Sequence, residues 1–327
     1  MYDTLDIPER LLVAVGGNAT HPEDIEGTSA EQNAIASATA KALLPLTTLD
    51  NELVITHGNG PVVGKILMRQ VLTRDRIAPM PLDICVAHSQ GGIAYLLMQA
   101  IENSLREIDN DRHCAVLLTQ VEVDADDPAF ENPSKPIGAF YTEEQAQQIS
   151  RELGWPMKED SGRGWRHVVA SPKPRHVCDV SLVQVLARRG TIVIAGGGGG
   201  IPVVRGPKGT REGAIAVIDK DMTSAHMANV LGIPVLMILT AVSQVAINFG
   251  QPDEQKLEQV TVREMRKHLA DGQFPEGSMG PKVEAAIRFI NGGGQRVIIA
   301  NIDEAIDALR GRCGTHVVSD AFANEHT

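Results

Sequence analysis

Aromatic residues are scarce in this 327-residue sequence, which has only two Trp, three Tyr and six Phe. The core must therefore be built from Ile, Val, Leu, Ala and Met, and an apolar content of 43% is enough for a sizeable one. This composition suits packed parallel strands and helices better than a small β-barrel. The length allows two domains or one large α/β domain.

Basic residues are also in short supply, because 30 Lys and Arg against 41 Asp and Glu give a formal net charge of −11. This balance argues against nucleic acid as a main partner, since clusters of Lys and Arg are needed to bind its phosphates. An acidic protein can still bind phosphates when its few lysines are concentrated at one site.

Cysteine ligand pairs, a basic leader and long apolar runs are missing as well. The four cysteines show no CxxC or Cys/His spacing, and Cys85 and Cys114 lie in apolar runs that are typical of buried thiols. The N-terminus is acidic where a signal peptide needs basic residues, and no apolar run approaches the length of a membrane span. These features predict a soluble, cytoplasmic protein that does not enter membranes.

The most informative stretch that is present covers residues 191–221. Residues 191–194 form a β-branched run without apolar/polar alternation, which predicts a fully buried strand, and five glycines, Gly196 to Gly200, follow it. The backbone N–H groups of such a loop can surround an anion. A flexible linker is the alternative, but a buried strand leading directly into the loop favours phosphate binding. Neither GxGxxG nor GxxxxGK[ST] occurs, which argues against a dinucleotide enzyme or an ordinary P-loop protein.

Two other strand patterns, 11–15 and 53–56, also end in glycine turns, Gly16-Gly17-Asn18 and Gly58-Asn59-Gly60. Strands alternate with helices along the chain, which predicts an α/β fold with a largely parallel sheet covered on both faces. We expect helices over 30–49, 82–104 with a break at 89–92, 180–188, 224–231, 261–270, 282–290 and 302–309. Because ligands of such sheets bind at the carboxyl ends of strands, the glycine turns predict a site for a nucleoside triphosphate and an acceptor.

Residues 121–174 interrupt this alternation. The segment is rich in Asp, Pro, Gly and Arg and has three turn-like stretches. A segment this long with weak periodicity predicts an excursion from the main domain, made of hairpins and a short helix, or a lid.

Lysines at two places fit phosphoryl transfer. Lys220 stands between Asp219 and Asp221, and Lys282 follows a Gly-Pro turn at a predicted helix start. Phosphoryl transfer needs cations and N–H donors along the transferring group more than it needs a base. Asp219 would orient the two lysines, and Mg²⁺ would bridge the donor phosphates. Asp219-Lys220-Asp221 could alternatively be a run of charged residues exposed on the surface. The position of this run after the glycine loop favours a role in phosphoryl transfer.

Three weaker candidates have structural explanations that we prefer. His57 is expected to be a structural histidine at a turn rather than a catalytic one. His88 and Ser89 lack the GxSxG context of a nucleophile. The acidic group formed by Glu122, Asp124, Asp126 and Asp127 lacks EF-hand spacing and is expected to be an exposed turn rather than a metal site.

A series of motifs in this order resembles carbamate kinase, of the amino-acid-kinase superfamily, from about Leu11 to Val318. The motifs are GGNA at 16–19, HGNGP at 57–61 and SQG at 89–91, followed by LTQVEVDADDPAF, PSKPIG, GWRHVVASPKP, GGGGIPV, AVIDKD, INFGQPD and GSMGPKVEAAI. The resemblance implies a three-layer α/β/α sandwich around a largely parallel sheet, with a protruding subdomain. It also implies an acceptor-binding part at 1–205, including the subdomain at 121–176, and a nucleotide-binding part at 206–327.

The resemblance further implies reversible phosphoryl transfer between ATP and carbamate with Mg²⁺, giving ADP and carbamoyl phosphate. The expected enzyme is a homodimer that makes ATP from carbamoyl phosphate in the degradation of arginine or other nitrogen compounds. The carbamate oxygen is already anionic, so no general base is required.

Site residues follow from the resemblance motif by motif, and none of them is expected to hold a metal. Lys220, Lys282, Asp219 and Lys135 are the expected catalytic residues, with Lys135 reaching over the site from the subdomain. The expected substrate-binding residues are Gly16, Gly17, Asn18, Gly58, Asn59 and Gly60. The expected nucleotide-binding residues are Gly197, Gly198, Gly199, Lys220, Thr240, Met279 and Lys282.

The chain departs from the family pattern at three places. The turn written TDVDxVY in the family is TAVSQVA at 240–246, Ile215 replaces an acidic residue, and Val62 replaces a polar one near the acceptor. Two alternatives therefore stay open. One is an acyl-phosphate kinase with another small carboxylate or carbamate acceptor. The other is a non-catalytic regulatory homologue with weakened nucleotide binding.

Overall fold

The computed structural model describes residues 7–22, 25–160, 162–275 and 277–325. Residues 1–6, which belong to the acidic N-terminus considered above, lie outside these ranges, as does the predicted end of the C-terminal part at 327. The strands are β1 Arg10–Val15, β2 Glu52–His57, β3 Cys114–Leu117, β4 Gln120–Val123, β5 Lys135–Tyr141, β6 Met157–Glu159, β7 Trp165–Val169, β8 Pro174–Val177, β9 Ile192–Ala195, β10 Ile201–Arg205, β11 Arg211–Gly213, β12 Val235–Thr240, β13 Val245–Ile247, β14 Gln255–Leu257, β15 Gln259–Thr261, β16 Arg296–Asn301 and β17 Thr315–Val318. The helices are α1 Ser29–Thr47, α2 Gly60–Thr73, α3 Leu82–Arg106, α4 Glu143–Leu153, α5 Val180–Ala187, α6 Lys220–Leu231, α7 Val262–Ala270, α8 Met279–Asn291, α9 Ala305–Leu309 and α10 Asp320–Glu325.

The central sheet has eight strands in the order β15-β17-β16-β12-β1-β2-β9-β3. Its strand pairs are parallel except for β16 with β17. Strands from both halves of the chain therefore share one sheet, and β1 beside β12 is the seam between them. The seam places the loop after β1 next to the loop after β12.

Helices cover both faces of this sheet, and β1 shows how the sequence produces that arrangement. Because side chains alternate along a strand, Leu12 and Ala14 pack with α5, α6, α7 and α8, while Leu11, Val13 and Val15 pack with α1, α3 and α9. The strand is buried on both sides, which explains its unbroken apolar run. The predicted three-layer α/β/α fold is confirmed.

Helix α3 runs without interruption, so the predicted break at 89–92 is wrong. Gly91 and Gly92 adopt helical geometry with open space around them, and neighbouring residues supply the helix propensity that glycine lacks. Within the described residues, α3 is the one helix long and apolar enough to cross a membrane by length and composition. Its Ala94, Leu97 and Ile101 lie in the core on the α1 side of the sheet, as expected of a core helix.

Two helices begin earlier than predicted, and both starts lie at the candidate site. Helix α6 begins at Lys220 rather than at 224, because the Asp219 side chain caps it by accepting from the backbone N–H groups of Asp221 and Met222. Helix α8 begins at Met279, so Lys282 lies in its first turn. The apolar periodicity used to predict these helices starts only after their first turns.

The segment predicted as an excursion contains antiparallel strand pairs, helix α4 and a short 3₁₀ helix at Pro128–Phe130. Strands β4 and β8 join β10 and β11 in a four-stranded sheet, while β5, β7 and β6 form a separate sheet beside α4. The β5–β7 sheet approaches α2 so closely that a Cβ added to Gly64 would overlap the backbone of Gly138. Ile137 and Val169 extend this contact into a small apolar cluster with Val63 of α2.

We expect Gly64→Ala to lower the free energy of unfolding by about 1–3 kcal/mol, the usual cost of overpacking, despite the better helix propensity of alanine. Gly92→Ala is the matched control, because it lies on an exposed part of α3 with nothing within 4 Å of its added Cβ. That variant should gain about 0.5–1 kcal/mol. Chemical denaturation of both variants tests the contact, and a Gly64→Ala variant as stable as Gly92→Ala would contradict it.

Candidate active site

The loops that follow β1, β2 and β12 meet at one edge of the central sheet. The Gly16 N–H donates to the carbonyl of Leu239 (3.0 Å), and the Gly58 N–H donates to the carbonyl of Val15 (3.1 Å). A Cβ on Gly58 would lie only 3.0 Å from the backbone nitrogen of Gly17, so these two turns are in direct contact. The expectation that the glycine turns after β1 and β2 converge is met by the structure.

Two adjoining cavities open at this edge, with volumes of about 550 Å³ and 180 Å³. We call them the larger and the smaller cavity. The larger cavity is lined by Thr240, Ala241, Phe249, Phe274 and Met279, among others. The two cavities share six lining residues at their junction, namely Gly17, Asn18, Arg166, Gly277, Ser278 and Lys282.

The smaller cavity collects the predicted acceptor turn and the predicted catalytic residues. Its lining includes Gly58, Asn59, Gly60, Lys135, Asp219, Lys220, Asp221 and Lys282. Lys135 enters from β5 of the excursion and donates to the Asp219 carboxylate, so the excursion contributes a cation to this cavity. Four residue groups distant in sequence thus share one cavity.

Asp221, which the sequence analysis left without a role, is the carboxylate that holds the two lysines. One of its oxygens accepts from Lys220, and the other accepts from Lys282 at 3.2 Å. Asp219 contacts neither lysine directly and instead binds Lys135 and caps α6. The predicted orienting role of Asp219 therefore falls to Asp221, because the helix start at Lys220 directs the two carboxylates to different partners.

Burial and the neighbouring opposite charges shift the pKa values of these groups in opposite directions. Burial raises the pKa of Asp221, but Lys220 and Lys282 outweigh it and hold that pKa well below its usual range. Burial also raises the pKa of Asp219, and Lys135 again reverses the shift. Burial lowers the pKa of Lys220, whereas the nearby carboxylates outweigh burial at Lys282 and raise its pKa. Both aspartates are therefore anionic across the neutral range.

The site carboxylates do not form a ready metal site. Asp219 uses one oxygen for the α6 cap and the other for Lys135, and Asp221 uses both for lysines. Mg²⁺ bound by proteins normally takes one or two free carboxylates together with substrate phosphates. All four oxygens are engaged here, so the residues present do not fit a metal ion held by the protein itself.

The predicted nucleotide loop, Gly197, Gly198 and Gly199, lies beside the Gly58-Asn59-Gly60 turn and the smaller cavity. Only Gly198 lines a cavity, and that is the smaller one. A Cβ at Gly197 would overlap the His57 ring, and one at Gly198 would overlap the Asn59 amide. Because β9 lies beside β2 rather than β12, these glycines allow close packing beneath the acceptor turn and do not reach the larger cavity.

Asn59 is positioned by a residue that sequence reasoning set aside. Its amide nitrogen donates to the Ser89 hydroxyl at 2.8 Å, and that hydroxyl donates to the carbonyl of Val86. The next residue, Gln90, exchanges two hydrogen bonds with the backbone of Thr119. The SQG motif is visible in the sequence, but only the packing of α3 against α2 shows that Ser89 supports the turn at Asn59.

His57 has the structural role that was preferred for it. Its ring is fully buried against Gly197, and Nδ1 lies 3.0 Å from the carbonyl oxygen of Gly58. Burial lowers the pKa of His57 to about 4, so the ring is neutral at pH 7.

The acidic group at 122–127 also has structural roles, although one member is not exposed. Glu122 is buried and accepts two hydrogen bonds from Arg205, at 2.8 and 3.0 Å. Asp127 caps the short helix that follows it, and Asp124 pairs with Arg175. Glu122, His176 and Cys178 place potential metal ligands within 4.8 Å of one another, but the Glu122 carboxylate is already occupied.

The departures from the family pattern lie at different distances from the site. Ala241 and Ala246 line the larger cavity, whereas Ser243 lines neither cavity. Ile215 is 58% exposed and also lies outside both. Val62 lines a separate small cavity beside Ala19 and does not line the smaller cavity.

Comparison with known proteins identifies similar sequences and folds. A sequence model described as the amino acid kinase family matches residues 9–301. A carbamate kinase of Thermococcus kodakarensis is 44% identical over 315 residues, covering 95% of this chain and 100% of that protein. Carbamate kinase 2 of Staphylococcus aureus is 46% identical over 312 residues, covering 94% and 99%.

Solved structures give the same result. A carbamate kinase from Giardia lamblia bound to citric acid superposes with a TM-score of 0.91 at 38% identity, covering 96% of this chain and 99% of that one. The same kinase bound to AMP-PNP has a TM-score of 0.86 at 38% identity, with coverage of 96% and 99%.

Replacing the shared carboxylate should destabilise the fold strongly. Asp221→Asn keeps the shape of the side chain but leaves two buried ammonium groups without their common partner, and we expect a loss of about 3–5 kcal/mol in unfolding free energy. Asp111→Asn is the control, because that fully exposed carboxylate makes only a surface pair with Arg106. Equal stability of the two variants in urea denaturation would refute the role given to Asp221.

His57 should make the fold sensitive to mild acid. Its pKa of about 4 lies below the ordinary 6.5, so the unfolded chain binds a proton first and stability falls as pH drops from 6.5 towards 4. The loss due to His57 should reach about 2 kcal/mol at pH 5. His57→Asn should flatten the measured dependence by this amount, and substitution of the exposed His113 should not. Superimposable pH profiles for His57→Asn and the wild type would count against a neutral, buried His57.

Proposed function

This chain belongs to the amino acid kinase family and, within it, to the carbamate kinases, and on that premise we propose that it transfers a phosphoryl group reversibly between ATP and carbamate, giving ADP and carbamoyl phosphate. It is thus a phosphotransferase with a carboxyl-type acceptor. The observation that carries the proposal is the pair of adjoining cavities, with Lys282 at their junction and Lys220 beside it.

The nucleotide occupies the larger cavity in this proposal. Its base contacts the apolar side chains of Phe249, Phe274 and Met279, and its phosphates extend towards Thr240 and the junction at Gly17 and Asn18. The structure of the Giardia lamblia carbamate kinase bound to AMP-PNP supports a nucleotide site in this fold. Ala241 and Ala246 offer no charge to the sugar, so contacts to the phosphates carry most of the binding energy.

The acceptor occupies the smaller cavity, between the Gly58-Asn59-Gly60 turn and the lysines. Carbamate already carries an anionic oxygen, which attacks the terminal phosphorus while ADP leaves on the opposite side. The described residues that line this cavity include no histidine and no unpaired carboxylate, which agrees with a reaction that needs no general base. The ordered Asn59 amide, held by Ser89, would orient the acceptor.

Lys220 and Lys282 stabilise the phosphoryl group in transit. Charge in this reaction lies on the equatorial oxygens of the transferring group, where fixed cations are most effective. Asp221 holds both ammonium groups in place before substrate arrives, so little reorganisation is needed during the reaction. Lys135, carried by the subdomain, completes the set of cations only when β5 lies over the site.

Magnesium enters with the nucleotide in this proposal, as MgATP or MgADP, bound to phosphate oxygens rather than to a protein ligand set. The engaged oxygens of Asp219 and Asp221 support this assignment. The protein's own contribution is to bind, orient and surround the phosphates with cations.

We extend the proposal to the organisation and setting of the enzyme. Residues 1–205, with the subdomain at 121–176, form the acceptor part, and residues 206–327 form the nucleotide part. The enzyme acts as a cytoplasmic homodimer, without nucleic acid or membrane partners, and makes ATP from carbamoyl phosphate in the breakdown of arginine or other nitrogen compounds.

The positions of the unusual residues weaken the two alternative functions, a different acceptor and a non-catalytic homologue. A different acceptor was suggested by Val62, which lines a separate cavity. A non-catalytic homologue was suggested by Ala241, Ser243, Ala246 and Ile215, of which only the two alanines line the larger cavity. Four cations remain in the smaller cavity, as catalysis requires.

The direct test is formation of ATP from carbamoyl phosphate and MgADP. We expect activity in the wild type and a loss of about 10²–10³-fold in turnover for Lys220→Ala, the usual effect of removing one fixed charge from a transition state. Lys41→Ala, at an exposed position of α1, is the control and should be fully active.

Thermal unfolding of each variant separates loss of activity from loss of fold. An inactive wild type that MgADP still stabilises would point to another acceptor, to be found by screening small carboxylates. An inactive wild type that MgADP does not stabilise would support the non-catalytic homologue. Near-normal turnover in Lys220→Ala would remove the role assigned to that lysine.

A further inference from the structure

Arg166 has a position in the site that none of the assigned roles explains. It lies on β7 of the excursion, its side chain is only 7% exposed, and it lines both the larger and the smaller cavity. Of the six residues at the junction of the cavities, Arg166 and Lys282 are the two that carry positive charge. A buried guanidinium between a donor cavity and an acceptor cavity lies where the phosphates must pass.

The guanidinium group is held firmly on one side. One terminal nitrogen pairs with the buried carboxylate of Asp160 at 3.2 Å, and the other donates to the carbonyl of Gly138 at 2.9 Å. The group also lies over the ring of Phe140, 4.9 Å from its centre. These contacts fix the orientation of Arg166 before any ligand binds, as a preorganised anion site requires.

Hydrogen-bonding capacity remains on Arg166 after these contacts. Its Nε atom is buried and makes no hydrogen bond within the described part of the chain. A guanidinium has five N–H donors, and its two hydrogen bonds, to Asp160 and to the Gly138 carbonyl, leave donors for a further acceptor. Burying such a donor without a partner is costly, so this position favours binding of an acceptor group from a ligand.

The charge of the smaller cavity also calls for an anion. Among the described residues that line it, four are cations (Lys135, Arg166, Lys220 and Lys282) and two are carboxylates (Asp219 and Asp221), which leaves an excess of two positive charges. Both carboxylates are already bound by lysines. Asp160, the partner of Arg166, also contacts Arg163 at 3.2 Å, so one carboxylate serves two guanidinium groups.

We propose that Arg166 is a phosphate-binding residue that contacts the terminal phosphates of the bound nucleotide at the junction of the two cavities. This proposal rests on the proposed function, because it places the nucleotide in the larger cavity. Since Arg166 also holds Gly138 and Asp160, the contact ties the β5–β7 sheet to the occupied site. The guanidinium can bind two phosphate oxygens at once, which a lysine cannot.

A purely structural role is the competing explanation, in which Arg166 only joins β5 to β7. The two roles differ in which ligands they affect. A phosphate contact strengthens binding of ADP, which has a terminal β-phosphate, but not binding of AMP, which lacks it. A structural role alters the site as a whole and affects both nucleotides alike.

The experiment compares the binding of ADP and AMP to Arg166→Gln by calorimetry, with AMP measured by competition if it binds weakly. We expect ADP to bind at least about 10-fold more weakly, the usual effect of losing a charged hydrogen bond, while AMP affinity stays unchanged. Arg175→Gln is the control, because Arg175 is an exposed arginine that pairs with Asp124 and lines neither cavity. This control should match the wild type for both nucleotides.

Arg166→Lys answers the question if Arg166→Gln fails to fold. It keeps the charge but not the two-point geometry, so ADP binding should fall several-fold with AMP unchanged. Unchanged ADP affinity, or equal weakening of ADP and AMP, in whichever variant folds would overturn the proposal. If the wild type makes no ATP from carbamoyl phosphate while Arg166 variants still lose ADP selectively, the proposed reaction fails and the phosphate contact stands.

Discussion

One shared carboxylate organises the charged centre of this protein. Asp221 lies in the first turn of α6 and accepts hydrogen bonds from two buried lysines, one adjacent in sequence and one from α8. Two ammonium groups would repel each other in a buried site, but the attraction of both to a single carboxylate between them outweighs this repulsion. The resulting arrangement holds positive charge beside the junction of the cavities without presenting a free carboxylate that would repel phosphate.

Close contacts between backbone segments allow loops from distant parts of the chain to surround this charged centre. Gly58 contacts Gly17, Gly197 and Gly198 underlie His57 and Asn59, and Gly64 contacts Gly138. At each contact a Cβ would meet a neighbouring residue at or inside the limit of ordinary contact. The glycines therefore do more than leave backbone N–H groups open to a ligand. They also let three strand ends and the excursion come close enough to line the two cavities together.

Much of the site could be predicted from the sequence, because its chemistry lies in short motifs at strand ends. Lys220, Lys282, Asp219 and Lys135 stand out in the sequence, and the structure brings them together around the smaller cavity. Sequence reasoning misses Asp221, Ser89 and Arg166. The role of Asp221 depends on where α6 begins, and the sequence pattern predicts that start at 224 rather than at Lys220. Ser89 and Arg166 act across the fold, and nothing near them in the sequence names their partners.

The sequence by itself determined the alternation of buried strands and helices, because apolar periodicity and glycine-containing turns are local properties of the chain. It also determined which residue types were available for phosphoryl chemistry. Only the tertiary structure decided which strand ends lie together, since that depends on strand order: β9 lies beside β2, and β12 beside β1. This order places the five-glycine loop beside the Gly58-Asn59-Gly60 turn rather than beside the loop after β12. Pairing of residues far apart, such as Lys135 with Asp219, is likewise set by packing between elements, which no local pattern encodes.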